Sequence, residues 1–253
     1  MFKAVSALAA AAVVATSTTA MAAFLQGDDV TPDVIFGSGN DNGGWTVFRD
    51  ESAGLELGLR AKVRFDSSGS PQNTFPLTAP GTYTFNPPDL NPDPNRNGWN
   101  YEYSINTNYN GNGSDITSLQ YSLFIDDDPS TLTNFVEVGL ALDDAFGTNA
   151  TGNGDGRSAA AIFFNPFDKF KNYNVRQNSQ NTGFGYISAL AEIDPNVPGV
   201  YSIKLTASDG AVEVGSVGID VVQTPIPAPI ALFLGGLGLI GVVARRRSQS
   251  AAA

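Results

Sequence analysis

The chain has 253 residues, of which 25 are acidic and 14 basic, and it contains no cysteine and no histidine. Disulfides, thiol catalysis, Cys or His metal sites and every His-dependent catalytic triad are therefore excluded. All the acidic residues but only 10 of the basic ones lie between the two ends, so this body carries a net charge near −15, which argues against nucleic acid as a partner.

Residues 1–23 have the pattern of an export signal. Lys3 supplies a short positive region, residues 4–14 are apolar, and Ala20 and Ala22 fit a small-x-small cleavage site. The hydroxyl residues at 17–19 interrupt the apolar run before it reaches the length of a membrane span. We predict that the Sec machinery exports the chain and that residues 1–23 are removed as a signal peptide.

Residues 24–223 show a hydrophobic period of two, which predicts strands with one buried and one wet face. In the clearest run, Leu55–Phe65, odd positions are apolar and even positions mostly polar. The Asp209-Gly210 pair between two alternating runs predicts a hairpin. Further alternating runs occupy 99–105, 119–125, 136–142 and 201–221.

Clusters of Gly, Asn, Asp and Pro separate these runs, as expected for turns and loops. No stretch of the body predicts an amphipathic helix. Many strands with frequent turns indicate an all-β domain, and we predict a single antiparallel β-sandwich of jelly-roll or immunoglobulin-like type.

Asp126 and Asp128 are weak candidates for a metal site, because several carboxylates on one loop suit Ca²⁺. The alternative is that these aspartates mark a turn before Pro129. Asp143-Asp144 would lie at the other end of a paired strand, so a shared site is not expected. The loop 151–156 begins like a calcium loop, but Ile162 stands where the EF-hand needs an acid, and no cofactor is predicted.

Trp45 and Tyr109 are candidate ligand-binding residues. Both lie among Asn and Gly residues, and flat aromatic faces beside side-chain amides suit sugar rings. Trp99, Tyr101 and Tyr103 share one face of a predicted strand and are expected to fill the core instead. Trp45 and Tyr109 are therefore the better candidates for a surface position, and core filling is the alternative for these aromatic residues.

The C-terminal thirty residues divide into a Pro-rich box and linker at 224–229, an apolar segment at 230–244 and a basic tail at 245–253. Ile226 to Ala244 is nineteen residues without a charge, and a helix of that length is roughly 28 Å long, close to a bilayer core. Arg245, Arg246 and Arg247 mark the cytoplasmic side. We predict a transmembrane helix at 230–244.

Pro225-Ile226-Pro227-Ala228, followed by the apolar segment and the three arginines, resembles the PEP-CTERM class of bacterial sorting signals. It looks most like the variant with a Val-Pro-Leu-Pro-Ala consensus, and Thr224 stands in place of the valine. The resemblance implies a Gram-negative host and processing by an exosortase, a membrane-embedded cysteine transpeptidase. It also implies delivery to the cell surface or to an exopolysaccharide-rich biofilm matrix.

The body more loosely resembles domains found in other proteins that carry this tag. The likeness rests on Tyr121–Pro129, Val175–Phe184 and Gly199–Leu205. Those domains look like β-sandwiches and have no assigned activity, so this resemblance implies a fold and no chemistry.

We therefore predict an exported, non-catalytic surface or matrix protein with a structural or binding role beside exopolysaccharide. One alternative is a carbohydrate- or calcium-binding adhesion module. Another is a secreted glycan-cleaving enzyme, which needs two carboxylates across a sugar cleft, for example Glu192 and Asp194. The expected partners are the exosortase, the export machinery, the membrane and extracellular polysaccharide.

Overall fold

A computed structural model describes residues 23–86, 90, 97–191, 193–194 and 197–224. In these residues two short helices, α1 (Ala159–Phe163) and α2 (Gly185–Ser188), and one 3-10 turn (Phe170–Asn172) accompany the strands. The strands are β1 (Ala23–Asp28), β2 (Trp45–Asp50), β3 (Leu55–Phe65), β4 (Pro71–Thr74), β5 (Leu77–Ala79), β6 (Thr82–Phe85), β7 (Trp99–Asn106), β8 (Gln120–Asp126), β9 (Phe135–Glu137), β10 (Ala145–Gly147), β11 (Arg157–Ser158), β12 (Val175–Gln180), β13 (Gly199–Asp209) and β14 (Val212–Gln223).

The strands form two sheets that pack face to face, as predicted for an all-β sandwich. The first sheet has the order β1-β2-β3-β7-β12-β10-β11, with β4 also paired to β3. The second has the order β5-β6-β14-β13-β8-β9. Among the described strands every pair is antiparallel except β6 with β14, which is parallel.

One continuous hydrophobic core fills the space between the sheets. Odd-numbered residues of β3 and β7 supply one side of it, and alternate residues of β8, β13 and β14 supply the other. The indole ring of Trp99 stacks on Phe85 with ring centroids 5.8 Å apart, which ties the two sheets together at one end. The prediction that Trp99, Tyr101 and Tyr103 belong to the core is confirmed, since each is at most 1% exposed.

The wet face predicted for β3 is wrong for most of its length. Glu56, Arg60 and Lys62 are at most 4% exposed, and all eight residues of β7 are buried. These polar side chains point away from the sandwich core, yet a further layer of chain covers them. The second sheet keeps the expected alternation, because Lys204 and Asp220 on its outer face reach solvent.

We call residues 29–44 the covering segment, because they lie over the outer face of the first sheet. The segment has no strand of its own. Val30 and Val34 pack with Trp45 and Val47 in a small second core. Its backbone is bonded to the sheet through side chains, for example from Ile35 N to Gln177 Oε1 at 2.8 Å. The central strands β3 and β7 of the first sheet are therefore buried on both faces over most of their length.

Two local predictions concern the β13–β14 hairpin and the strand at 136–142. The hairpin between β13 and β14 is confirmed, with Gly210 at a φ of 58° in its turn. The predicted strand at 136–142 is wrong beyond β9, because Gly139 adopts a φ of 69° and Leu142 is 94% exposed. No helix in the described ranges has the length and hydropathy of a membrane span.

Candidate functional site

A polar groove of about 640 Å³ opens beside the covering segment. Its lining comes from the covering segment at 36–40, the end of β3 at 62–65, β4 at 71–73 and β12 at 178–179. That lining combines two cations, side-chain amides and two phenylalanine rings, and no carboxylate is among its residues in the described chain. Apolar faces with a few directed polar groups are typical of ligand sites.

The cations of the groove follow from the alternation of β3. Arg60, Lys62 and Arg64 are two residues apart and so project from the same face of the strand. Lys62 and Arg64 line the groove, whereas Arg60 lies beneath it. Lys62 Nζ is 2.5 Å from Asn40 Oδ1 on the covering segment and 3.1 Å from Glu102 Oε1 on β7.

Arg60 joins the covering segment to the sheet below the groove. Its guanidinium lies between the rings of Trp45 and Phe75, at 4.2 and 4.0 Å from their centroids. It donates through Nη1 to the carbonyls of Asp41 and Gly43. Burial lowers the pKa of Arg60 from its ordinary value, and the carboxylate of Glu102 opposes that shift.

Glu102 is the negative partner of both buried cations. Arg60 lies directly opposite it in the β3–β7 register, and Arg60 Nε donates to Glu102 Oε2 at 2.6 Å. The contacts from Arg60 Nη2 and from Lys62 Nζ are ion pairs without hydrogen-bond geometry. One carboxylate thus balances part of the positive charge beneath the groove, and Arg64 is left outside this cluster.

Side-chain amides hold the edges of the groove in place. Asn40 Nδ2 donates to the carbonyls of Phe36 and Gly37, which folds the covering segment back on itself. Asn73 Nδ2 donates to the Gly39 carbonyl at 2.8 Å and so joins β4 to the same segment. These bonds fix the groove without using the charged ends of Lys62 or Arg64.

The carboxylates nearest the groove are already engaged. Asp66 accepts from Ser68 Oγ at 2.6 Å and from Gln72 Nε2 at 2.7 Å. The hydrogen bond from Ser68 lowers the pKa of Asp66, so the group is ionised at neutral pH. Asp143 accepts from Asn178 Nδ2 at 2.9 Å. By contrast, the buried Nε of Arg64 has no hydrogen-bond partner among the described residues.

The predicted surface position of Trp45 is wrong. Trp45 is 0% exposed, because it opens β2 directly beneath the covering segment, and its Nε1 donates to Asn42 Oδ1 at 3.1 Å. Tyr109 is half-buried, with Arg49 over its ring at 5.6 Å. Trp45 therefore packs against Arg60 beneath the groove. Tyr109 lies outside the groove lining, and its role in ligand binding stays a prediction.

The aspartates of the candidate metal site behave as turn residues. Asp126 is 1% exposed and accepts from the backbone N–H groups of Asp128 and Asn134, which closes the turn between β8 and β9. Asp128 accepts in turn from Ser130 N at 2.8 Å. No group of three Asp, Glu, Cys or His side chains able to hold a metal ion occurs in the described parts of the chain.

The remaining candidate acidic residues form hydrogen bonds that stabilise the first sheet and its surroundings. Asp144 is buried and accepts hydrogen bonds from Tyr103, Arg176 and Asn178. Burial raises the pKa of Asp144, and Arg176 opposes this shift. The loop 151–156 bonds to the covering segment, for example through Asn153 Nδ2 to the Asn40 carbonyl at 2.6 Å. These groups stabilise the structure around the groove.

A second cavity of about 570 Å³ lies near the other edge of the first sheet. Its lining is largely apolar and includes Leu140, Phe146 and Phe170. Three nearby exposed rings, Phe163, Phe164 and Phe167, follow in α1 and just after it. This cavity lacks the set of amides that would orient a polyhydroxylated ligand, so the polar groove is the stronger candidate.

The alternation of three cations along β3 was the sequence signal for the groove. By itself this alternation predicts an ordinary wet strand face, because the position of the covering segment does not follow from the sequence. Several predicted site residues lie outside the described residues. They are the sorting residues Pro225, Ile226, Pro227, Ala228 and 245–247, the cleavage residues Ala20 and Ala22, and Glu192.

No family model, no curated protein and no solved structure matches this chain.

Proposed function

We propose that this protein is an exported, non-catalytic component of the cell surface or extracellular matrix that binds exopolysaccharide through the polar groove. The sandwich, of jelly-roll or immunoglobulin-like type, serves as the rigid support for that groove. The observation that carries the proposal is the lining itself, in which Phe36, Phe65, side-chain amides and two cations converge on one cavity.

This lining matches what a sugar chain requires. Apolar ring faces contact the C–H faces of a pyranose, and amides and ammonium groups donate to its hydroxyls. Glycoside hydrolysis would require a pair of carboxylates on either side of the scissile bond. The described lining has none, which favours binding over cleavage.

The two ends of the chain supply the localisation in this proposal. Residues 1–23 act as a signal peptide, and the box at 224–229 with the apolar segment 230–244 and the arginines acts as a PEP-CTERM-type signal for an exosortase. β14 ends at Gln223, and Thr224 N still donates to the Phe85 carbonyl at 3.0 Å. The proposed processing box therefore begins at Thr224, directly after the last strand of the sandwich.

Filling the groove with an indole ring should abolish polysaccharide binding. Ser38 lines the groove and its side chain is exposed, so Ser38→Trp adds bulk without displacing a buried group. We expect retention on polysaccharide extracted from the host matrix to fall by about tenfold or more, which corresponds to about 1.4 kcal/mol. Affinity electrophoresis through gels that contain this polysaccharide measures the effect.

Ser118→Trp is the matched control, because Ser118 is equally exposed but lies outside the groove. It should bind as the unmodified protein does, and both variants should unfold at the same temperature. If the unmodified protein shows no retention, or if Ser38→Trp binds as well as Ser118→Trp, the groove is not the polysaccharide site.

Removing the two prolines of the sorting box should block processing. The double variant Pro225→Ala, Pro227→Ala is expected to accumulate as an uncleaved, membrane-retained form, because the box is the proposed recognition site. Immunoblotting of membrane and extracellular fractions from an exosortase-bearing host measures this. Unchanged processing of the variant would contradict the sorting proposal and would leave the groove proposal standing.

A further inference from the structure

We propose that the groove selects polysaccharides that carry carboxylates, with one sugar carboxylate held by Arg64 and Lys62. This inference rests on the proposed function and adds the chemical class of the ligand. It depends on three features of the groove as the described residues form it: a guanidinium edge without a partner among them, a neighbouring ammonium, and nearby described carboxylates that are already hydrogen-bonded or ion-paired.

Arg64 offers a free edge for a carboxylate. Its side chain is half-buried and lines the groove, and its guanidinium forms no hydrogen bond or ion pair with the described residues. The Nε is buried, so the edge that a ligand can contact is formed by Nη1 and Nη2. An arginine pairs best with a planar carboxylate through two parallel N–H groups, and a ligand carboxylate in the groove would therefore bind at this edge.

Lys62 places a second positive charge beside this edge. Its Cα is two residues along β3 from that of Arg64, which is about 6.6 Å in an extended strand. The ammonium has three donors, and among the described residues it contacts only Asn40 Oδ1 and Glu102 Oε1. Only the contact to Asn40 is a hydrogen bond, so donors remain for a ligand oxygen, and the contacts to Asn40 and Glu102 keep the ammonium in place.

The acidic character of the protein does not prevent this binding. Among the described residues, the acidic groups near Lys62 and Arg64 are Glu102, Asp66 and Asp143. Glu102 is paired with Arg60, and the other two are held by Ser68, Gln72 and Asn178. More distant acids act through solvent, where the Debye length is about 8 Å at physiological salt. A carboxylate in contact with Arg64 is therefore attracted locally, and the repulsion from the remaining surface is screened.

The test compares one polymer in two chemical forms. The full chain, purified in detergent, is titrated with polygalacturonate and with the same polymer after reduction of its carboxyl groups to alcohols. We expect the acid form to bind at least about tenfold tighter, and its binding to weaken with added salt. A sulfated dextran distinguishes carboxylate recognition from general attraction to polyanions, and it should bind more weakly than polygalacturonate.

Arg64→Gln should remove the preference for the acid form, and Lys204→Gln, which deletes a charge on the outer face of the second sheet, should keep it. Equal binding of both polymer forms, or an equal loss on both in Arg64→Gln, would overturn the carboxylate inference but not the proposed function. Absence of binding to either form and to the host polysaccharide would overturn both. The polymer comparison uses the unmodified chain, so it decides the question even if Arg64→Gln fails to fold.

Discussion

Replacing Glu102 by glutamine is expected to lower the free energy of unfolding by about 3–5 kcal/mol. Glu102 is 0% exposed and is the only carboxylate that contacts Arg60 and Lys62 among the described residues. Glu102→Gln keeps the shape of the side chain but leaves two buried cations without a negative partner. Breaking a buried pair in this way costs far more than the pair contributes when it is intact.

Glu213→Gln provides the matched control for this experiment. Glu213 pairs with Lys204 at 3.3 Å, but both side chains are more than a third exposed. A surface pair of this kind contributes little, and the same chemical change there should alter stability by less than about 0.5 kcal/mol. Urea unfolding followed by tryptophan fluorescence measures both variants, and comparable effects in the two would contradict the role given to Glu102.

Replacing Gly58 by valine is expected to displace the covering segment and to destabilise the protein by about 1–3 kcal/mol. A Cβ at this position would lie 2.7 Å from Val30 Cγ1 and 3.2 Å from Trp45 Cε3. Val30 is stiff, and the indole of Trp45 is held between its neighbours, so neither group can move aside cheaply. Because the covering segment supplies part of the groove lining, Gly58→Val should also lose polysaccharide binding.

Gly218→Val tests whether this effect belongs to the covered face of the first sheet. Gly218 is also in the middle of a strand, but it is exposed, and a Cβ there would have only ordinary contact with the Ile203 carbonyl at 3.6 Å. Valine suits a strand, so this variant should be neutral or slightly more stable. Chemical unfolding together with affinity electrophoresis compares the two variants. Equal stability and binding in both would show that Gly58 does not control the packing of the covering segment.

The strands and the core could be predicted from the sequence because both follow from local alternation. The burial of the even-numbered residues of β3 could not be predicted, because alternation alone does not show whether water or a second layer of protein covers that face. Arg60 and Glu102 are 42 residues apart in the chain and become partners only through the β3–β7 register. The ion pair is thus a property of the strand register, its burial is due to the covering segment, and no single stretch of sequence carries either.

The surface position of Trp45 was wrong for the same reason, namely that the sequence does not show which chain covers it. Its Gly- and Asn-rich surroundings predicted an exposed loop, and the covering segment is indeed irregular. That irregular chain nevertheless lies on the sheet, because Asn42, Arg60 and Gln177 satisfy its backbone and side-chain groups. Groove residues such as Asn40, Asn73 and Asn178 could not be grouped in advance, because they come from three distant parts of the chain.

Because of the covering segment, different parts of the molecule tolerate substitutions to different extents. Strands β3, β7 and β12 are constrained on both faces, so most substitutions there disturb packing. Among the described residues, every hydrogen bond of the stretch at 36–40 involves a side chain, and the stretch reaches solvent at Gly37, Ser38 and Gly39. Sequence drift in this stretch would alter which sugars are held while the double-layered scaffold persists. Gly37 and Gly39 have φ values of 63° and 80°, which other residues rarely adopt. Diversification of ligand preference among descendants of this chain is therefore expected to concentrate at Ser38.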